Sequence, residues 1–335
     1  MSNSIVQDVQ VRDHFLTASR DQVIAHVDLL HSALVRYSNN PSIIPPRHVG
    51  PTPDGSTTFL IMSVVDDLFC GVKSVGCNPA SGQGFVGGIT VTDPKSGSLV
   101  GVVQAKQLTA ARTALSSCIG LVRVSKMFGS EVQITAFGTG LQAFWHVYFA
   151  CKILEDKKIR ATIVYRSSPL DTSLFDTHLP QVEISQIPFS DKNAIATLVG
   201  GSDVIFGCVP SSEPAILMQH LDASSSTKYT YISLIGSYKP HMHECDGPLV
   251  EEFKNRGVPI LVDSIEHTLT ESGELIDADI EPEHLQELGR LRDTTAVPIV
   301  ESTKGNKFTL CKIVGLAIMD ICMAQAVLSS VGKEA

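Results

Sequence analysis

Residues 131–166 read EVQITAFGTG, then LQAFWHVYFACKILEDKK, then IRATIVYR. A β-branched and aromatic run ends in Gly138-Thr139-Gly140, an apolar-periodic segment follows, and a second β-branched run closes at Tyr165-Arg166. The pattern predicts strand, tight turn, helix, strand. Gly138, Gly140 and Ala143 have G-x-G-x-x-G/A spacing, which carries weight only between a strand and the helix it opens, as here. The first glycine makes the turn, and the second lets backbone N–H groups approach a pyrophosphate. The small third residue lets helix and strand pack closely. The helix N-terminus then presents free N–H groups and its positive dipole end to the anion. Gly138, Thr139, Gly140, Leu141 and Gln142 are the expected dinucleotide contacts.

The tip of the second strand selects between cofactors. An NAD site places a carboxylate roughly 20 residues past the glycines, where it accepts hydrogen bonds from the ribose 2′-OH. This chain offers Tyr165-Arg166-Ser167-Ser168, a cation followed by two hydroxyls. A guanidinium there pairs with a 2′-phosphate. NADPH is therefore expected ahead of NADH, with Arg166, Ser167 and Ser168 as contacts and Asp171 as the one nearby acid that argues against it.

The rest of the composition sets bounds. The chain has 335 residues, 43% hydrophobic and 18% charged, enough for two cores. A net charge of −9 gives no electrostatic footprint for nucleic acid. The eight cysteines contain no C-x-x-C pair and read as buried thiols of a reducing compartment. The start, MSNSIVQDVQVRDH, lacks the pattern of a signal peptide, so a cytoplasmic location is expected. Leu310–Val331 is the most apolar helix candidate; Lys312 and Asp320 interrupt it, which favours a helix buried in protein over a membrane span. His241-Met242-His243-Glu244-Cys245 has the composition of metal ligands but no second ligand cluster, and no metal is expected.

Along the chain, Asp21–Tyr37 has helical apolar spacing, ahead of a stiff Ile44-Pro45-Pro46-Arg47-His48 segment. Thr57–Val65, Gly71–Cys77, Gly87–Thr92 and Leu99–Val103 read as short strands of a mostly antiparallel sheet, followed by a long helix over Leu108–Val124. Beyond Arg166, strands at Gln181–Ile187, Val204–Val209, Tyr229–Ile235 and Pro259–Val262 alternate with helical segments, which predicts a doubly wound parallel sheet. Its ligand crevice should gather the loops at 138, 166, 209 and 236, including Val209, Ser211 and Gly236. The fold class expected is α/β: a Rossmann domain over 129–308, and a discontinuous α+β substrate-binding and dimerisation domain over 1–128 and 309–335.

Several motifs together resemble the ornithine cyclodeaminase/μ-crystallin family. They are Pro46-Arg47, Gly71-Val72-Lys73, LTAARTAL at 108–115, GTGLQA at 138–143, PSSEP at 210–214, Ile235-Gly236, ESGEL at 271–275 and TLCKIVGLAIMD at 309–320. The resemblance implies a homodimer with a nicotinamide-binding Rossmann domain. It places the substrate in the N-terminal domain, where Arg47, Lys73 and Arg112 gather round the carboxylate of a small amino or imino acid. It adds Thr109 and Lys312 to the cofactor contacts. The residues agree with this: three cations in otherwise apolar settings require an anion to neutralise them.

The chain departs from that family's cyclodeaminases at one informative place. They have an aspartate just after the Ile-Gly strand, where this chain reads Ser237-Tyr238; Gln104-Ala105 and Cys208-Val209-Pro210 also differ from the usual residues. The expected activity is NADPH-dependent reduction of a C=N bond alpha to a carboxylate, in a cyclic ketimine such as 1-pyrroline-2-carboxylate or 1-piperideine-2-carboxylate. The alternatives are an ornithine or lysine cyclodeaminase, an alanine dehydrogenase-like oxidoreductase, and a binding protein without turnover.

Overall fold

The computed structural model describes residues 4–223, 227–292 and 296–331. It divides into two compact units, Met1–Thr113 with Gly315–Ala335, and Ala114–Val314. The first boundary lies inside a long helix rather than at 128/129, and the second lies at 314/315 rather than 308/309. The reason for the second is that residues expected to begin the last helix instead form a strand of the other unit.

The first unit is built on a six-stranded sheet. Its strands are β1 (Ser4–Val6), β2 (His48–Pro51), β3 (Thr58–Val65), β4 (Cys70–Cys77), β5 (Phe85–Thr92) and β6 (Leu99–Gln104), in spatial order β1-β6-β5-β4-β3-β2. All pairs are antiparallel except β1 with β6. The helices are α1 (Asp8–Leu16), α2 (Arg20–Asn39) and the first turns of α3 (Ala105–Val124). Ser19 caps α2 by accepting the Gln22 N–H while the Gln22 side chain returns to Ser19, so the helix starts where its apolar period starts. The terminal helix, Ala317–Val331, lies against β3 to β6 and against α2. Residues of β4 alternate: Gly71, Lys73 and Val75 are buried, Val72 and Ser74 exposed. A Cβ at Gly71 would meet the Thr90 carbonyl oxygen at 2.2 Å and Ile321 Cδ1 at 2.9 Å, so only glycine lets the terminal helix seat there.

The second unit is doubly wound. It contains β7 (Glu131–Phe137), α4 (Leu141–Ile153), β8 (Lys158–Tyr165), α5 (Ser173–His178), β9 (Glu183–Pro188), α6 (Lys192–Gly201), β10 (Val204–Gly207), α7 (Met218–Leu221) and β11 (Tyr229–Leu234). It continues with α8 (Gly247–Arg256), β12 (Ile260–Val262), α9 (Ile265–Glu271), α10 (Gly273–Asp277), β13 (Leu285–Glu287), β14 (Val300–Glu301) and β15 (Lys307–Lys312). Strand order is β13-β12-β15-β11-β10-β7-β8-β9, every pair parallel, with β14 antiparallel to β15. The winding reverses between β7 and β10, which fixes the ligand crevice at their C-terminal ends.

The single helix expected over Leu310–Val331 is corrected by the structure. Lys307–Lys312 is a strand buried on both faces, which reads as a continuous apolar run and mimics a buried helix. Gly315, at φ +100°, then turns the chain into the helix α11 (Ala317–Val331). No helix among the described residues is long and apolar enough to cross a membrane.

Candidate active site

In the first unit the decisive feature is a buried charge triad. Lys73 Nζ donates to Asp320 Oδ1 at 2.8 Å and to Thr109 Oγ1 at 2.9 Å, and Arg112 Nε donates to the same Oδ1 at 3.0 Å. The three charged side chains are 4%, 0% and 5% exposed for Lys73, Asp320 and Arg112. Lys73 points inward because it shares the inner face of β4 with Gly71, and Gly71 is what admits the helix bearing Asp320. Gly315 in turn makes room for Arg112, since a Cβ there would lie 3.2 Å from both terminal guanidinium nitrogens.

Asp320 is the residue that sequence reasoning missed. The sequence alone leaves the substrate as the anion for Lys73 and Arg112, whereas in the structure α11 supplies one carboxylate for the two cations. The triad therefore retains one net positive charge in a buried setting. Burial pushes Lys73 down to about 8, against the pull of Asp320 and with the repulsion of Arg112 added. Burial also opposes ionisation of Asp320, yet Arg112 and Lys73 together hold its carboxyl below the ordinary value. Thr109, expected at the cofactor, has its hydroxyl engaged by Lys73.

Arg47 lies one residue before β2 and is half-buried. The ladders pair His48 with Ile61 and Met62 with Lys73, so Arg47 continues the rank of Met62 and Lys73 on the inner face. Two strand spacings put its backbone roughly 10 Å from that of Lys73, a gap that two long cationic side chains span together with a small carboxylate.

In the second unit the expected loops come together in pairs. Gly138 ends β7 at φ +115°, and a Cβ there would meet the Cys208 carbonyl oxygen and Val209 Cγ1 at 3.0 Å each. The glycine turn and the loop after β10 thus touch at the point where the winding reverses. Gly140 caps α4, and a Cβ on it would meet nothing within 4 Å. Gln142 Oε1 is buried without a hydrogen-bond partner. Leu141 is half-buried beside it. Open space at the second glycine, an orphaned acceptor, and the first N–H groups of a helix with no intrahelical acceptors are features that fit a dinucleotide.

Glu244 ties two of these loops. Its Oε1 accepts the Val209 N–H at 3.0 Å, and its Oε2 accepts those of Gly236 at 2.6 Å and Ser237 at 3.3 Å. Burial pushes its carboxyl up to about 7, with Glu274 adding to the rise while Lys312 and the backbone N–H groups oppose it. Lys312 is fully buried on β15, hydrogen-bonded to Ser237 Oγ, 3.5 Å from Glu274 and 3.9 Å from Glu244. Lys312, expected as a cofactor contact, thus sits beside two interior carboxylates, and Ser237 Oγ also donates to Glu274 at 2.6 Å.

At the tip of β8, Arg166 donates to Ser211 Oγ at 2.7 Å, joining two expected contacts. Ser167 and Ser168 are exposed beside it. Asp171, the competing acid, accepts the Ser173 N–H at 3.0 Å at the start of α5. His243 Nε2 pairs with Asp277 at 2.8 Å, and Glu244 is committed to the loops. No group of three or more metal-ligating side chains is found among the described residues. Tyr238 is 38% exposed, with Lys239 over its ring.

Comparison with known proteins places these features in context. Residues 6–334 match the model of the ornithine cyclodeaminase/mu-crystallin family. An uncharacterized protein of Saccharomyces cerevisiae is 40% identical over 98% of this chain and 97% of its own length. The ketimine reductase mu-crystallin of Mus musculus is 27% identical over 72% of this chain and 68% of its own. Among solved structures, the Delta(1)-pyrroline-2-carboxylate reductase of Thermococcus litoralis, in complex with NADH and L-proline, superimposes with a TM-score of 0.73. It is 20% identical and covers 98% of each chain, a likeness of fold.

Proposed function

The chain belongs to the ornithine cyclodeaminase/mu-crystallin family, and from that premise we propose that it is an NADPH-dependent reductase of a cyclic ketimine carboxylate. The substrate class is 1-pyrroline-2-carboxylate or 1-piperideine-2-carboxylate, and the product is the cyclic amino acid. The observation that carries the reading is the Lys73–Asp320–Arg112 triad, two buried cations on one carboxylate. A substrate carboxylate is an anion that this pair of buried cations suits. The likeness to a ketimine reductase and to the fold of a pyrroline-2-carboxylate reductase supports the same class.

NADPH, when bound, supplies the hydride that reduces the imine carbon; the glycine turn at 138–140, Leu141, Gln142, the loops at 209 and 236, and Arg166 with Ser167, Ser168 and Ser211 are the residues that hold it. The other roles belong to the first unit. Arg112 and Arg47 grip the substrate carboxylate by paired N–H···O bonds and fix the ring plane. Lys73 Nζ holds the proton that the imine nitrogen takes up, with a pKa brought near the working range by burial. Asp320 keeps both cations in place. Deamination of an α-amino acid needs a base at the amine, and the position after Ile235-Gly236 offers Ser237 and Tyr238 rather than an acid.

Two assays on one preparation test this. NADPH absorbance should fall on addition of either cyclic ketimine, and ornithine or lysine should release no ammonia with NAD+ or NADP+. Steady ammonia and proline formation from ornithine would replace the reductase with a cyclodeaminase. Tight ketimine binding with no oxidation of NADPH would favour a binding protein.

The same reading includes a homodimer. The outer face of the first unit's sheet exposes Phe59, Ile61, Val65, Val72 and Val86 at 37–64%. A contiguous apolar sheet face of this kind marks an interface, and a second copy of the same face is its self-complementary partner.

A further inference from the structure

We propose that Lys192 and Phe189 complete, with Arg166, a binding site for the 2′-phosphate dianion of NADPH. The inference rests on the NADPH reading above and goes beyond it, since that reading used Arg166 and its neighbouring hydroxyls alone. Arg166 and Phe189 are the residues that follow β8 and β9, and the Phe189 N–H donates to the Tyr165 carbonyl at 2.7 Å, which draws the two strand tips together. The Arg166 guanidinium carbon lies 5.0 Å from the centroid of the Phe189 ring, and Lys192 Nζ lies 3.4 Å from it. One half-buried ring thus gathers two exposed cations at the strand end where a ribose 2′ substituent falls in a doubly wound sheet.

Charge argues that the site is built for an anion. Neither Arg166 nor Lys192 has a carboxylate partner among the described residues; Asp191, next to Lys192 in the chain, is committed to the Ala194 N–H at 3.0 Å as the cap of α6, and Asp171 to the Ser173 N–H at 3.0 Å. Two like charges held on one ring repel each other until a dianion lies between them. The cation–π contacts preset both side chains, which reduces the ordering needed when phosphate binds. Ser211, buried at 3% exposure, fixes Arg166 from the other side. A planar fork suits two phosphate oxygens, and the ammonium suits the third as a point charge.

The test is calorimetric titration of the full-length protein with NADP+, NAD+ and 2′,5′-ADP, so the readout does not depend on turnover. Lys192→Ala should weaken NADP+ and 2′,5′-ADP by about fivefold and leave NAD+ unchanged, while Lys192→Arg should retain most of the affinity. Raising the salt concentration should narrow the difference between wild type and Lys192→Ala. If wild type prefers NADP+ and Arg166→Ala abolishes the preference but Lys192→Ala keeps it, Lys192 has no part in the site and the inference is overturned alone. Equal affinity of wild type for NADP+ and NAD+ overturns the NADPH reading and this site with it.

Discussion

At the scale of single residues, Arg112 and Lys73 differ in what they should do when changed. Arg112→Lys keeps the charge that Asp320 needs but loses the planar fork, so kcat/KM should fall by about a hundredfold with little change in melting temperature. A large loss of stability with activity retained per folded molecule would make Arg112 purely structural. Asp320→Asn leaves two buried cations with no carboxylate between them. Urea denaturation should show a loss of about 3–5 kcal/mol, and an unchanged midpoint would contradict the charge balance assigned to the triad. In the proposed mechanism Lys73 sets the pH profile. Its ammonium, with a pKa lowered to about 8, is the form that holds the proton, so kcat/KM should fall as pH rises through that value and not below it. Lys73→Arg, which stays charged, should remove that alkaline limb if it remains active, and its persistence would assign the titration to another group.

At the scale of elements, the glycine turn separates fold from ligand. Gly138→Ala forces a side chain into φ +115° against Cys208 and Val209, so both stability and cofactor affinity should drop. Gly140→Ala meets no protein atom, so the melting temperature should hold while NADP+ binding weakens by about tenfold or more as the methyl crowds the pyrophosphate. Equal cofactor affinity in Gly140→Ala and wild type would remove the pyrophosphate from this turn. These turn positions were legible in the sequence because strand, turn and helix are local and their spacing is fixed by backbone geometry. Asp320 was not legible as a counter-ion, because its partner Lys73 lies 247 residues away and nothing local announces the pairing. The role of Glu244 was hidden in the same way, behind a stretch whose composition suggested a metal. Strand β15 was hidden for a different reason: burial on both faces erases the alternation that identifies a strand.

At the scale of the whole molecule, the exposed sheet face and the reaction make separate demands. Replacing Ile61 or Val72 by Asp puts a charge on that face, and sedimentation should then show a monomer where the unchanged protein sediments as a dimer. A monomeric unchanged protein would remove the homodimer from the account. The central claim is that this chain reduces a C=N bond alpha to a carboxylate, and transfer of the label tests it most directly. With NADPH carrying deuterium at both nicotinamide C4 positions and 1-pyrroline-2-carboxylate, the account predicts proline carrying one deuterium at its alpha carbon, formed in step with NADP+. Oxidation of the cofactor without label in proline, or no oxidation of NADPH by either cyclic ketimine, would contradict it.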